Sequence, residues 1–322
     1  MRRVVHDFRR IFPDPPGNEL DIHASYRFRE GLMGQVFLNG QFVDSDRAKI
    51  SVFDQGFLYG DGIYESFRSI GAHLYQFPLY YQRLKQSAEA LGYELPYSRP
   101  QLEEILLELR RRNRLTDAYY RITITRGPGQ VGFQRALTGD LTCLIIAREF
   151  KGFDEAHYRD GIVLRVAETR RNAPEAINPK IKSISNLNSL LGKLEARAAG
   201  AFEVVMLNNR EQICEGAASN IFWTRDRWVF TPSVATGLLA GVTRSTIIRL
   251  CEEELDLRVI RGEYRLQDLK FSDEVFITST SLEVMPVVKV DDFMINQGRV
   301  GPIARRLREV LHLDMDKTAV SS

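Results

Sequence analysis

Segments with the spacing of helices and segments with the composition of strands alternate in both halves of the chain, and this mixture limits the fold more than any other feature. Asn39-Gly40 lies between two β-prone runs, which is the strongest short signal for a β-hairpin. Further strands are predicted at 119–125, 141–147, 162–167, 202–207, 220–224, 227–231, 274–278 and 284–290. Helices are predicted at 78–91, 100–112, 189–199, 243–254 and 301–312. Strands and helices mixed throughout the chain predict an α/β or α+β fold.

The length of the chain predicts two domains. With 322 residues it exceeds the comfortable size of a single hydrophobic core. A polar stretch over 151–158 is the best candidate for a linker, between a first domain over 34–150 and a second over 159–315. Residues 1–33 contain three prolines and show no clear period, so we interpret them as an N-terminal extension that folds against the body of the protein rather than as a domain.

Charge and composition argue against several classes of function. The formal net charge is only +2, so we expect neither a nucleic-acid nor a membrane partner, and no apolar run approaches the roughly 20 residues of a membrane span. Cys143, Cys214 and Cys251 are far apart, which argues against a disulfide framework or a zinc ribbon. The scattered histidines predict no metal site. Without a secretory signal at its start, the chain is expected to be cytoplasmic.

One glycine pattern resembles a dinucleotide-binding motif but lacks its context. Gly127, Gly129 and Gly132 match G-x-G-x-x-G and follow a predicted strand. That motif requires a helix to begin there, so that its amide groups can face a pyrophosphate. A new strand is predicted within a few residues instead, which leaves no room for the helix. We expect the glycines to form a tight loop beside a ligand.

Four features of the second half suggest a common chemistry. Lys182 lies in a polar loop before a helix, and a buried lysine can form a Schiff base with a carbonyl. Glu215 is a carboxylate that could pair with the ring nitrogen of pyridoxal 5'-phosphate (PLP). The segment 241–244 opens a helix whose amide groups could bind a phosphate, and the hydroxyl-rich run 278–281 could add donors. Each feature alone has an ordinary structural explanation: a solvated lysine, a turn carboxylate, a helix cap and a polar strand end.

Seven segments, in order, resemble one family. They are YGDGIYESFR (59–68), YYQRLKQSAEALG (80–92), YYRITITRG (119–127), IKSISNLNSLLGKLEA (181–196), EGAASNIFW (215–223), LLAGVTRSTI (238–247) and DEVFITSTSLEVMPV (273–287). From about Gln35 to Leu311 the chain resembles class IV, fold-type IV, PLP-dependent aminotransferases, which include branched-chain and D-amino-acid aminotransferases and aminodeoxychorismate lyase. The resemblance implies a small N-terminal α/β domain, a larger C-terminal α/β pseudo-barrel domain and a homodimer with the site near the partner subunit.

The resemblance also implies roles for individual residues. Lys182 would hold the cofactor as a Schiff base and move the substrate proton, and Glu215 would pair with the ring nitrogen. The phosphate would be bound by Arg83, Val242, Thr243, Ser279 and Thr280. The substrate pocket would be lined by Tyr59, Tyr64, Arg68, Tyr119 and Arg121, of which Arg121 would receive the second carboxylate of 2-oxoglutarate.

The implied activity is transfer of an amino group from a hydrophobic, branched-chain-like amino acid to 2-oxoglutarate by a ping-pong mechanism. Two departures leave a D-amino-acid aminotransferase and a pyruvate-releasing aminodeoxychorismate lyase as alternatives. Branched-chain members usually have a tyrosine five residues after the lysine, where this chain has Leu187. D-amino-acid members of the best-known type have an Arg-x-His carboxylate trap in the loop after TRG, where this chain has PGQVGFQ.

Overall fold

The computed structural model describes residues 34–132 and 140–320, so the predicted extension over 1–33 lies outside the described residues. Within these ranges the strands form two sheets. The first contains β1 Gln35–Leu38, β2 Gln41–Asp44, β3 Gly62–Ile70, β4 His73–Leu74, β5 Ala118–Thr125 and β6 Thr142–Glu149. Its order is β2-β1-β6-β5-β3-β4, with all neighbours antiparallel.

Three helices accompany the first sheet: α1 Gln55–Tyr59, α2 Phe77–Ala90 and α3 Arg99–Arg112. The last two have a proline in their first turn, where its missing N–H costs no hydrogen bond. Leu84 of α2 and Leu102 and Leu106 of α3 are buried in one core with Phe67 and Tyr120 of the sheet. This packing fixes the position of α2 above β3, which matters because both elements contribute to the site.

The second sheet is mixed. Its strands are β7 Ile162–Val166, β8 Glu203–Leu207, β9 Ile213–Glu215, β10 Asn220–Arg225, β11 Trp228–Pro232, β12 Arg258–Gly262, β13 Glu274–Ser279, β14 Glu283–Val290 and β15 Phe293–Met294. The order is β12-β11-β10-β13-β14-β7-β8-β9, and β15 pairs with β14. Ile213 N donates to Tyr264 O at 2.8 Å, so the segment after β12 meets β9 and brings the two ends of the sheet together. This closure agrees with the implied pseudo-barrel.

Five helices accompany the second sheet: α4 Glu155–Asp160, α5 Leu187–Ala198, α6 Val242–Glu254, α7 Leu266–Lys270 and α8 Pro302–Val320. Helices α6 and α8 pack on Phe222 and Phe276 through a second core. Val242, the first residue of α6, is buried in the core of the first sheet instead. The start of α6 therefore lies where the two halves of the chain meet.

The predicted strands and helices are confirmed, with shifts of their ends, and Asn39 and Gly40 turn the β1–β2 hairpin with φ of 48° and 88°. The strands on either side of Gly127 are antiparallel neighbours, which a dinucleotide-binding unit does not allow. The longest strand, β3, was not predicted. Its buried polar residues Glu65 and Arg68 hide the apolar pattern, and each is paired with an opposite charge. The other unpredicted elements are β4, β9, β12, β15, α1, α4 and α7.

The predicted division into two domains stays a prediction, although one sheet ends at Glu149 and the other begins at Ile162. Part of the predicted linker is helical, since α4 begins at Glu155. Among the described residues, no helix is both long enough and apolar enough to cross a membrane.

Candidate active site

Lys182 is held between β3 and α2. Tyr64 N donates to Lys182 O at 2.9 Å, and Ile184 N donates to Gly62 O at 3.0 Å, so the lysine segment runs beside the first part of β3. Lys182 N donates to the hydroxyl of Ser87, on α2, at 3.1 Å. These backbone contacts fix the lysine within an otherwise irregular loop.

Two cations flank the ring of Tyr64. Lys182 Nζ lies 4.5 Å from the ring centroid, and the Arg121 guanidinium lies 3.9 Å from it. Burial raises the pKa of the Tyr64 hydroxyl, but Lys182 and Arg121 outweigh it and leave the pKa below its ordinary value. Arg121 reaches this place because β5 pairs with β3, with Arg121 opposite Ser66. An amine, a phenol and a guanidinium thus share one small region.

Glu215 ends β9 and is buried. Its Oε2 accepts from Leu239 N at 3.2 Å and from Asn220 Nδ2 at 3.3 Å. Its Oε1 accepts from Arg171, whose Nη2 lies at 2.6 Å and Nε at 2.7 Å. Burial raises the pKa of the carboxyl above its ordinary value, against the opposing effects of Arg171, the Leu239 amide and Lys182. The carboxyl thus has one charged partner in direct contact, Arg171.

The start of α6 offers unused amide groups. Gly241 is its N-cap residue and provides no side chain, so the first N–H groups have no side-chain acceptor. A Cβ at residue 241 would lie 2.2 Å from Asn220 Oδ1, so the close approach requires glycine. Val242, Thr243, Ser279 and Thr280 line one cavity at this point.

Arg83 lies at the same end of α6. Its Nη1 donates to Ala240 O at 2.9 Å, while Nε and Nη2 donate to the two carboxylate oxygens of Glu65 at 2.7 and 2.8 Å. The hydroxyls of Tyr80 and Thr280 are hydrogen-bonded to each other at 2.9 Å. A guanidinium, free amides and hydroxyls form a donor set that fits a phosphate, so Lys182, Glu215 and this cup together fit PLP.

Arg68 lies further along β3 than Tyr64, and it lines the same cavity as the start of α6. Arg68 lies four residues beyond Tyr64 on β3, about 13 Å along the strand at roughly 3.3 Å per residue. It forms a buried ion pair with Glu283 at 2.5 Å, and its guanidinium lies 4.2 Å from the Phe150 ring. The opposite charge of Glu283 accounts for this position.

The remaining predicted pocket residues lie on neighbouring elements. Tyr59 ends α1, and its hydroxyl accepts from Gly132 N at 2.6 Å. Tyr119 is opposite Arg68 on β5, with the Arg148 guanidinium 4.8 Å from its ring. Leu187 is exposed at the start of α5. Residues 133 and 134, the end of the PGQVGFQ loop, lie outside the described residues.

Sequence reasoning missed Arg171. It lies in a loop after β7, next to a second arginine, and no spacing pattern links it to Glu215, 44 residues away. The pairing could have been suspected only from the need of a buried carboxylate for a cation.

The family model of class IV amino-transferases matches residues 62–290. The chain belongs to the class IV aminotransferases. A protein of Methanocaldococcus jannaschii, provisionally assigned as a branched-chain-amino-acid aminotransferase, is 36% identical over 275 residues, covering 85% of this chain and 94% of its own. The D-alanine aminotransferase of Staphylococcus haemolyticus is 33% identical over 281 residues, covering 86% of this chain and 96% of its own.

Solved structures of class IV enzymes have the same fold. The Escherichia coli branched-chain amino acid aminotransferase superposes with a TM-score of 0.84 at 30% identity, covering 87% of this chain and 94% of its own. The norvaline complex of the Thermoproteus uzoniensis branched-chain aminotransferase gives 0.81 at 26% identity, with coverages of 88% and 94%. The chain is therefore a fold-type IV aminotransferase, an enzyme that transfers amino groups with PLP as its cofactor.

Proposed function

We propose that this aminotransferase moves an amino group from a hydrophobic, branched-chain-like amino acid to 2-oxoglutarate by a ping-pong mechanism. The observation that carries the proposal is the guanidinium of Arg121, which shares the Tyr64 ring with the Lys182 amine. An aromatic ring and one cation beside the reacting amine can accept an apolar side chain in one half-reaction and a second carboxylate in the other. The branched-chain aminotransferases among the similar structures support this choice.

The residues would divide the work by position. When bound, PLP supplies a carbonyl carbon for the amino group and a ring that accepts electrons. Lys182 would hold the cofactor covalently and, once released by the amino acid, carry the proton from the substrate Cα. Glu215 would keep the ring nitrogen protonated, and Arg83 with the start of α6 would bind the phosphate. Borohydride reduction and peptide mapping should then find the label on Lys182 and not on Lys180 or Lys193.

A panel of amino donors in L and D forms tests the activity. Bound PLP should be converted to the pyridoxamine form by L-leucine, L-isoleucine and L-valine and be restored by 2-oxoglutarate. Conversion by D-alanine alone would favour the second candidate, a D-amino-acid aminotransferase, which the identity to the staphylococcal enzyme supports. Pyruvate release from aminodeoxychorismate without amino transfer to any oxo acid would overturn both in favour of the lyase.

The acceptor is tested at Arg121. Arg121→Leu should raise the KM for 2-oxoglutarate much more than the KM for a branched-chain donor. The binding free energy of 2-oxoglutarate should fall by about 2–4 kcal/mol, as expected for the loss of one partner of a buried charge pair. Arg112→Leu is a matched control. Arg112, the last residue of α3, also lies over an aromatic ring, that of Phe42 on β2 at 4.3 Å, but β2 is four strands away from β3 in the first sheet. An unchanged KM for 2-oxoglutarate in Arg121→Leu would remove this residue from the acceptor site.

We also propose that the enzyme is a homodimer whose contact includes the apolar surface around α1. Ile50, Val52, Phe53 and Phe57 are all exposed within eight residues and lead directly into Tyr59. Contiguous exposed apolar residues of this kind mark association surfaces. The double substitution Phe53→Asp with Phe57→Asp should give a monomer in light scattering, whereas Phe271→Asp, at an exposed phenylalanine elsewhere, should leave the dimer intact. Dimers from both variants would exclude this surface.

We further propose that the enzyme is cytoplasmic and that it has two domains. Cys143, Cys214 and Cys251 are free and buried, which agrees with a reducing cytoplasm. The site would lie between a domain over 34–150, which contributes Arg83 and Tyr64, and a domain over 159–315. Limited proteolysis that cuts first within 151–158 would support this division, and cuts inside either sheet would contradict it.

A further inference from the structure

Arg171 contacts Glu215 more closely than any other group does. Its Nη2 and Nε lie 2.6 and 2.7 Å from Glu215 Oε1, and the two side chains are only 18% and 5% exposed. The Arg171 backbone is fixed by its N–H, which donates to Leu207 O at 2.8 Å. A guanidinium held at both its backbone and its tip can set the orientation of the carboxylate that it contacts.

The third nitrogen of the same guanidinium reaches the start of α5. Arg171 Nη1 donates to Ser189 Oγ at 2.9 Å and approaches Asn188 Oδ1 at 3.3 Å. Helix α5 begins five residues after Lys182. Arg171 thus connects the acid of the site to the helix that follows the lysine loop.

We propose that Arg171 is a positioning residue that holds the Glu215 carboxylate in place and ionised, so that it can receive the protonated ring nitrogen of PLP. The inference rests on the proposed role of Glu215. It assigns to Arg171 no contact with the substrate and no proton transfer of its own.

The charges around Glu215 explain why a fixed cation is required. Burial alone would drive this carboxyl to its neutral form, which could not hold a proton on the ring nitrogen. An arginine remains charged at every working pH, so its effect on the carboxylate does not vary with conditions. It occupies only Oε1, whereas Oε2 has neutral donors at 3.2 and 3.3 Å and keeps capacity for another charged donor.

The test uses two variants of Arg171 and a neighbouring control. Arg171→Met removes the charge, and Arg171→Lys keeps it but loses the fork that reaches Glu215 and Ser189 together. Arg170→Met is the matched control, because Arg170 directly precedes Arg171. It forms an exposed ion pair with Glu211 at 2.9 Å. Each holoenzyme is assayed for kcat and KM, and ring-nitrogen protonation is followed against pH by NMR with isotope-labelled PLP.

We expect kcat of Arg171→Met to fall about 10- to 100-fold, the range for losing a partner that orients a cofactor ligand. The ring nitrogen of PLP bound to Arg171→Met should lose its proton at a lower pH than in the wild-type enzyme. Arg171→Lys should recover part of both effects, and Arg170→Met should match the wild type. If the ring nitrogen of Arg171→Met and of Arg171→Lys titrates as in the wild type, the inference is wrong, whatever happens to stability.

The role of Glu215 is tested separately in the same series. If Glu215→Gln keeps full turnover, the proposed function of Glu215 fails, and with it the basis of the inference. If Glu215→Gln loses turnover but Arg171→Met does not, only the inference about Arg171 fails. The inference also requires that Arg171→Met adds little further loss of kcat when combined with Glu215→Gln, because both changes then act through the same carboxylate. A fully additive loss would contradict it.

Discussion

Two buried glutamates of this enzyme have opposite electrostatic surroundings. Glu283 contacts three basic side chains: Arg68 at 2.5 Å, Arg308 at 3.0 Å and His312 at 2.8 Å. Burial raises the pKa of Glu283, but the three bases outweigh it and lower the pKa to about 2. Glu215 has one arginine and two neutral donors, and burial keeps its pKa above the ordinary value.

The difference separates a structural carboxylate from one that is ready to bind. Glu283 is fully compensated by its own chain, and it links β14 to β3 and to α8, so it has no need of a ligand. Its backbone φ of 55° is unusual for a residue other than glycine, which is consistent with a position fixed by its partners. The negative charge of Glu215 is only partly balanced by Arg171, and a protonated ring nitrogen would supply a second positive charge. An acid with fewer charged partners than its burial demands is thus a marker of a site.

Removal of the Glu283 charge should have the largest effect on stability. Glu283→Gln leaves Arg68 buried without an opposite charge, which should lower the free energy of unfolding by about 3–5 kcal/mol. Glu155→Gln is the matched control, because Glu155 also pairs with Arg308 but is exposed, and it should cost less than about 1 kcal/mol. Urea unfolding measures the free energy of unfolding of both variants. Equal losses would show that Glu283 is no more important for stability than an exposed glutamate.

Glu215→Gln should lower the rate more than the stability. Arg171 loses its opposite charge but keeps its hydrogen bond to Ser189, so the cost in stability should be smaller than that of Glu283→Gln. The phosphate cup still binds the cofactor. Without the negative charge the ring loses its proton, so kcat should fall about 100-fold or more, equivalent to roughly 3 kcal/mol. Steady-state kinetics and urea unfolding on the same preparation check both halves. A variant that is active but unstable would place Glu215 in the same class as Glu283.

The pH dependence of stability should come from Glu283. Its folded pKa of about 2 lies below the ordinary value of 4.5, so the stabilisation is complete above about pH 4.5 and is lost as the pH falls towards 2. The full effect is about 3 kcal/mol at roughly 1.4 kcal/mol per unit of pKa. Unfolding measured from about pH 6 to pH 3 should show this decline in the wild type and a shallower one in Glu283→Gln. Equal slopes in the two proteins would assign the decline to other acids.

His312 should contribute least, because it is half exposed and Arg68 and Arg308 remain. His312→Gln keeps a donor to Glu283, so it should cost only about 0.5–1 kcal/mol. Urea unfolding of His312→Gln beside Glu283→Gln checks this, and an equal cost in the two variants would contradict it.

The sequence predicted the regular elements and missed those that depend on partners. Strands and helices with apolar periodicity were found because burial on one face imposes the period. Strand β3 was missed because Glu65 and Arg68 interrupt the pattern, and their partners Arg83 and Glu283 lie far away in sequence. Local propensity contains no information about such pairs.

The site shows the same limit. Lys182, Glu215 and the start of α6 were proposed from motif order, and the structure brings them together. Arg68 was assigned to the substrate pocket and Arg171 was missed, since the place of an arginine depends on which carboxylate it meets after folding. Both arginines are paired with glutamates, and only the topology decides that Arg171 meets Glu215 while Arg68 meets Glu283 beside α8.

The shared position of Arg83 and Ser87 on α2 has a consequence for the life of the protein in the cell. Both side chains belong to the first half of the chain and contact the second half: Ser87 accepts from Lys182 N, and Arg83 donates to Ala240 O. A cofactor held by both halves would bind the folded chain and not the unfolded one, so it would act as a folding ligand. By mass action, free cofactor at about 100 times its dissociation constant would add about 2.7 kcal/mol to stability. The fraction of unfolded enzyme that is open to degradation would therefore rise when PLP is scarce.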